Sequence, residues 1–103
     1  MRQTVIGSTH VLTIVGDIDL STIPRFTDAL TRLLADAAGS VVMVDLDGAH
    51  SVDDAALGLL LGAAGRARAA HGDLEVVATD PRLRSRLSET GFERAVSVRN
   101  SVA

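Results

Sequence analysis

Four carboxylates carry most of the chemistry this sequence offers: Asp17 and Asp19, two residues apart behind an apolar run, and the adjacent pair Asp53 and Asp54. Brought to one end of a sheet, they admit three readings. In a receiver-type site, acids hold Mg²⁺ while one takes a phosphoryl group, and a cation on a later strand, usually Lys, neutralises the phosphate. All ten basic residues here are Arg, which argues against that chemistry. The second reading is structural, with the acids as turn and cap residues that bond nearby backbone amides. The third makes them part of a recognition surface at a helix N-terminus. No catalytic constellation stands beside them. There is no G-x-x-x-x-G-K-[ST] loop, no His pair with a carboxylate at metal spacing and no Ser beside a matching base. His50 and Ser51 are sequence neighbours, poorly placed to act on each other. The sequence therefore predicts no enzyme, no cofactor and no metal.

The elements that must position these acids follow from apolar periodicity. Val41 to Leu46 is a β-branched run broken only by Asp45, the pattern of a buried strand. Asp47-Gly48 reads as a turn, with His50 and Ser51 in the loop and Asp54 as the N-cap of a helix reaching Ala70. His71-Gly72 stops that helix. Upstream, Thr4 to Ile6 and Val11 to Val15 are strand candidates around a turn at Gly7 to His10, with His10 exposed. Gly16 to Leu20 ends the second strand. Ser21 or Thr22 can cap a helix that tolerates Pro24 and carries the stripe Phe26, Ala29, Leu30, Leu33, Leu34 and Ala37. Gly39 closes it in a left-handed conformation. Leu74 to Ala78 is a further strand, and Asp80-Pro81 opens a shorter helix with Leu83 and Leu87 inward and Arg82, Arg84 and Arg86 solvated. Gly91 ends that helix, Ala95 to Val98 is a last strand, and Asn100 to Ala103 fray. The order predicts one α/β domain over residues 1–103: a mixed, mostly parallel sheet of about five strands with three main helices.

The helix from Asp54 has two unlike sides. Ala56, Leu59, Leu60, Ala63, Ala67 and Ala70 form the side that packs on the sheet. Asp54, Gly58, Leu61, Gly62, Gly65 and Arg68 form the other, with Leu57 on the flank. A solvent face normally holds charged residues, and each glycine there costs about 1 kcal/mol relative to Ala. Either another protein lays its backbone on this smooth face with Leu61 as anchor, or a neighbouring segment of the same chain approaches Gly58 and Gly62.

Composition narrows the partners. Only 2% of residues are aromatic and the formal charge is −3, so neither base stacking nor phosphate attraction favours nucleic acid. With no cysteine there is no disulfide or thiolate chemistry. The longest apolar stretch, Ala55 to Gly65, is too short and glycine-rich to span a bilayer, and no signal peptide is legible. The expectation is a cytoplasmic protein that binds neither nucleic acid nor membrane.

Gly16-Asp17-Ile18-Asp19-Leu20 is similar to the G-E-L-D-L of STAS domains, the bacterial anti-sigma factor antagonists. Val44-Asp45-Leu46-Asp47-Gly48 resembles their V-D-L-S-G, and Gly91-Phe92 their helix-ending G-[LF]. The resemblance spans nearly the whole chain. It implies a small α/β fold that binds an anti-sigma factor of the GHKL serine kinase type and so frees a sigma factor. In the family a serine at the start of the second helix is phosphorylated to stop this. Laid on the family's D-S-S-G-L-G, Asp53 matches Asp, Asp54 replaces the phosphorylated Ser, and Ala55 and Ala56 replace Ser and Gly. Leu57 and Gly58 match. The implied contact surface is Asp17, Asp19, Asp53, Asp54, Ala55, Leu57, Gly58, Leu61 and Gly62, and the same face is open to weak self-association. Asp54 either imitates phosphoserine permanently or only caps the helix. The alternative function is a small-ligand or nucleotide-sensing module of a larger signalling assembly.

Overall fold

In the computed structural model, which describes residues 1–102, nine elements follow one another: β1 (Arg2–Ile6), β2 (Thr9–Ile18), α1 (Ile23–Asp36), β3 (Val41–Val52), α2 (Asp54–Ala69), β4 (Asp73–Val77), α3 (Pro81–Glu89), α4 (Phe92–Ala95) and β5 (Ser97–Arg99). The strands form one mixed sheet in chain order, β1-β2-β3-β4-β5. The β1–β2 hairpin is antiparallel and every later pairing is parallel. Each crossover steps the same way along the sheet, and the helices collect on one face. Alternate strand residues, Leu12 and Ile14, Val42, Val44 and Leu46, Leu74 and Val76, point to that face and are buried. They meet Phe26, Leu30 and Leu33 of α1, Leu57 and Leu60 of α2, Leu87 of α3 and Phe92 of α4 in one cluster. The other face carries only a small cluster of Val11, Met43 and Val77, with Val102 packed on it.

The five strands, three main helices and mixed sheet agree with the expectation; α4 is an added single turn. The largest difference lies in β3. Asp47-Gly48 does not turn the chain, and His50 and Ser51 are not in a loop: the strand continues to Val52. Two register shifts against β2, between Thr13 and Val15 and between Gly16 and Asp17, take up extra β3 residues. Gly48 is required at the first of them, because a Cβ there would stand 2.6 Å from the Ile14 carbonyl oxygen. β2 is likewise longer than Val11 to Val15, and His10 lies in it, half-buried, with its Nδ1 3.1 Å from Gln3 Nε2.

Smaller corrections concern the caps. At the end of α2 it is His71 that takes the left-handed conformation, φ 68°. Gly72 is needed for a different reason: its Cβ would lie 2.3 Å from the Ser40 carbonyl oxygen, where the α2–β4 and α1–β3 connections touch. Gly39 has φ 81° as the sequence suggests. Asp80 caps α3 by accepting the Leu83 amide at 3.0 Å. Arg84 is not simply solvated, since it donates to the Ala78 carbonyl and the Asn100 side chain. Those bonds, with Val102 on the open sheet face, anchor much of the segment expected to fray; Ala103 lies outside the described residues.

Gly72→Ala and Gly58→Ala separate steric need from conformational freedom. The first forces backbone apart and is expected to cost about 1–3 kcal/mol in urea unfolding. The second meets open space on a helix and is expected to stabilise by up to about 1 kcal/mol. A neutral Gly72→Ala would contradict the close approach.

Candidate functional site

The carboxyl ends of β2 and β3 form one lip of the molecule. The parallel ladder runs on to Asp17–Ser51 and Ile18–Val52, and the Asp53 amide then donates to the Ile18 carbonyl at 3.0 Å. That bond sets the β2–α1 connection beside the start of α2. Asp17, exposed at the end of β2, accepts the Ser51 hydroxyl at 3.0 Å. Asp19 organises the connection itself. Its Oδ1 accepts the Ser21 hydroxyl at 2.7 Å and the Ser21 and Thr22 amides at 2.9 and 3.2 Å. Thr22 occupies the N-cap position of α1 but its hydroxyl makes no cap bond; it donates to the Asp17 carbonyl instead. The Ser21 hydroxyl, opposed by partial desolvation and aided by the two amides, holds Asp19 below the ordinary carboxylate pKa of 3.8.

At the start of α2 the roles of the paired acids differ from expectation. Asp53, not Asp54, is the N-cap residue, with extended φ −67° and ψ 154° and no side-chain cap bond. Asp54 is the first helical residue, its side chain 90% exposed, and its Oδ1 accepts Nη2 of Arg86 from α3 at 2.7 Å. A carboxylate in the first turn is also favoured by the helix dipole. An ion pair this exposed contributes about 0–1 kcal/mol, so its effect on the local charge matters more than its effect on stability.

Along α2 the two sides separate much as the periodicity indicates. Ala56, Leu60, Ala63 and Ala67 are buried, Leu59 is half-buried and Ala70 is exposed. Leu57, placed on the flank, is buried, as is Ala64. Asp54, Ala55, Gly58, Gly62, Gly65 and Arg68 are exposed, and Leu61 is 41% exposed. A Cβ on Gly58 or Gly65 would meet nothing within 4 Å, and one on Gly62 only the Arg66 side chain at 3.7 Å. No neighbouring segment of this chain therefore explains the glycines. Beside this face a groove of about 310 Å³ is lined by Asp54, Leu57, Gly58 and Leu61 of α2 and by Thr90, Gly91, Phe92 and Ala95 across from them.

The structure thus gathers Asp17, Asp19 and Asp53 around the connected strand ends, and Asp54, Leu57, Gly58 and Leu61 along the groove. Ala55 and Gly62 lie on the same helix outside it. Among the described residues no three acidic or imidazole groups gather to hold a metal ion. Two contributors escaped the sequence reading. Arg86, taken as solvated, is the counterion of Asp54. The Thr90-to-Ala95 wall depends on Gly91 at φ 78° turning the chain directly into α4; the Gly91-Phe92 pair signalled the helix end but not the groove.

Comparison with known proteins matches this architecture. The STAS domain family model matches residues 2–103, and the chain belongs to that family. The fold is similar to that of an anti-sigma factor antagonist from Mycobacterium paratuberculosis, with TM-score 0.87 and 21% identity over 98% of this chain and 85% of that one. It is also similar to a putative anti-sigma factor antagonist from Thermotoga maritima, at TM-score 0.85 and 15% identity, over 98% and 86% of the two chains. The phosphorylated form of the Bacillus cell fate determinant SpoIIAA superposes with TM-score 0.70 and 16% identity, over 97% and 91%. No curated protein sequence matches. Among the described residues no helix is long and apolar enough to cross a membrane.

Because the folded-state pKa of Asp19 is depressed, its ionised form supports the β2–α1 connection above about pH 4, and that support is lost as pH falls through the lowered folded value. Carbon-detected NMR titration is expected to place Asp19 below 3.8 and to find it moved back toward that value in Ser21→Ala. An unchanged Asp19 titration in the variant would show that the hydroxyl is not the main cause.

Proposed function

We propose that this STAS domain, spanning residues 1–103, is a non-catalytic, cytoplasmic anti-sigma factor antagonist. Its partner is an anti-sigma factor of the GHKL serine kinase type, and binding releases a sigma factor. The observation that carries the reading is the exposed side of α2 around Leu61, where Gly58 and Gly65 face open space and Gly62 meets only the Arg66 side chain. Three helix-weakening residues on a surface that no part of the chain covers fit close approach by another backbone. The solved structures with this fold include proteins described as anti-sigma factor antagonists, which supports the choice of partner class. The contact surface comprises Asp17, Asp19, Asp53, Asp54, Ala55, Leu57, Gly58, Leu61 and Gly62, with Leu57 contributing through the groove.

Asp54 stands where the family pattern carries its phosphorylated serine. A phosphoserine brings −1.5 to −2 charge and three acceptor oxygens, whereas Asp54 brings about one charge and shares it with Arg86 at 2.7 Å. The internal counterion weakens any imitation of a phosphate. Binding without phosphoregulation is therefore the favoured reading over permanent mimicry. The small-ligand alternative draws on a different place, a polar cleft beyond the ends of β3 and β4.

With a purified cognate anti-sigma factor, Asp54→Ser and Asp54→Ala are each expected to change affinity by less than about tenfold, or 1.4 kcal/mol. Leu61→Arg is expected to fold with near-native stability and lose binding. Marked tightening by both Asp54 variants would instead establish mimicry, and intact binding by Leu61→Arg would remove the α2 face from the interface. Incubation with the kinase should leave the segment from Ser51 to Gly58 unmodified in phosphopeptide mapping; phosphate on Ser51 would contradict unregulated binding.

A further inference from the structure

Beyond the carboxyl ends of β3 and β4 lies a cleft of about 200 Å³, separate from the α2 groove. Arg82 and Arg86 form part of its α3 side; four residues apart, they emerge from the same helix face. His50 and Ser51, at the end of β3, line it opposite. Two arginines on one wall give the cleft positive charge that an anion can compensate. Asp80, which also lines the cleft, accepts the Leu83 amide through Oδ2 and makes no ion pair with either arginine, and Asp54 takes Nη2 of Arg86 from outside the cleft. Arg82 and the His50 ring have no hydrogen-bond or ion-pair partner among the described residues.

We propose that this cleft binds a phosphate group, free or carried on a small molecule. Arg82 and the remaining donors of Arg86 supply charge-assisted hydrogen bonds, and the His50 ring closes the opposite side. The volume lies below the roughly 300–1,000 Å³ of sites for drug-sized ligands, so it suits a phosphate with at most a short appendage. Arg86 is shared between the anion and Asp54. Occupancy draws the guanidinium inward and leaves the Asp54 carboxylate less compensated, which raises the negative charge at the start of α2. The cleft itself is independent of the antagonist reading; only the regulatory consequence of this charge change rests on it.

Titration of the ¹⁵N-labelled protein with inorganic phosphate at low ionic strength tests the site without any partner. Saturable shifts are expected at Ser51, Arg82 and Arg86, weakened about tenfold or more by Arg82→Ala and unchanged by Arg32→Ala on α1. Asp54→Asn, which frees Arg86 from its exposed pair, is expected to tighten binding by about two- to fivefold. A parallel titration with ribose 5-phosphate distinguishes the sources: tighter binding than inorganic phosphate assigns a sugar phosphate, and equal or weaker binding assigns the free ion. Absence of saturation, or equal weakening by Arg82→Ala and Arg32→Ala, would overturn the site, and an unchanged affinity in Asp54→Asn would overturn its coupling to Asp54.

Discussion

The parallel pairing of β2 with β3, carried on to Ile18 and Val52 at the edge of the core, is the constraint on which the candidate site depends. The extension delivers the β2–α1 connection to the start of α2 and fixes it there through the Asp53 amide on Ile18. Gly48 is the residue that permits it, because the Ile14 carbonyl occupies the space a side chain would need. Asp47 adds a lateral tie, accepting the Thr79 amide and hydroxyl at 2.7 and 2.9 Å, and so holds the connection from β4 to α3 against the same region. That tie and the Asp80 cap, together with Leu87 buried in the core, set the position of α3 and with it Arg86.

The architecture was legible because helix and strand periods are local properties. Phe26, Leu30 and Leu33 repeat at helical spacing and all three are buried; Val42, Val44 and Leu46 alternate and all three face the helices. Asp80-Pro81 marked its helix because cap and proline act within one turn. The reading failed where a local signal was overruled by a neighbouring strand. Asp-Gly is a strong turn pair in isolation, yet here the hydrogen bonds of β2 keep the chain extended through Gly48 and the glycine serves close contact instead. The division of roles between His71 and Gly72 was hidden for a similar reason: Ser40, more than thirty residues upstream, decides which position must lack a side chain.

The candidate site divides along the same line. The four acids and the smooth side of α2 were visible as residue types at fixed spacing. The Asp54–Arg86 pair was not, since it joins residues 32 positions apart on two helices. Nothing in Arg82-Leu83-Arg84-Ser85-Arg86 says which arginine meets an acid until the helices are placed. Their fates differ: exposed Arg82 lines a cleft, Arg84 bonds the Ala78 carbonyl and Arg86 compensates Asp54. That compensation makes Asp54 a carboxylate already partly satisfied within its own chain rather than a free one.

The proposed contact is an uncovered helix face with a moderated charge at its tip. Amide hydrogen exchange on the complex with the cognate anti-sigma factor reads that claim most directly, using protein that has never met a kinase reaction. Protection gained over Asp53 to Gly62 and over the Asp17-to-Thr22 connection is the result predicted. Protection confined to the open sheet face around Val11, Met43 and Val77, with the exposed side of α2 unchanged, would contradict it.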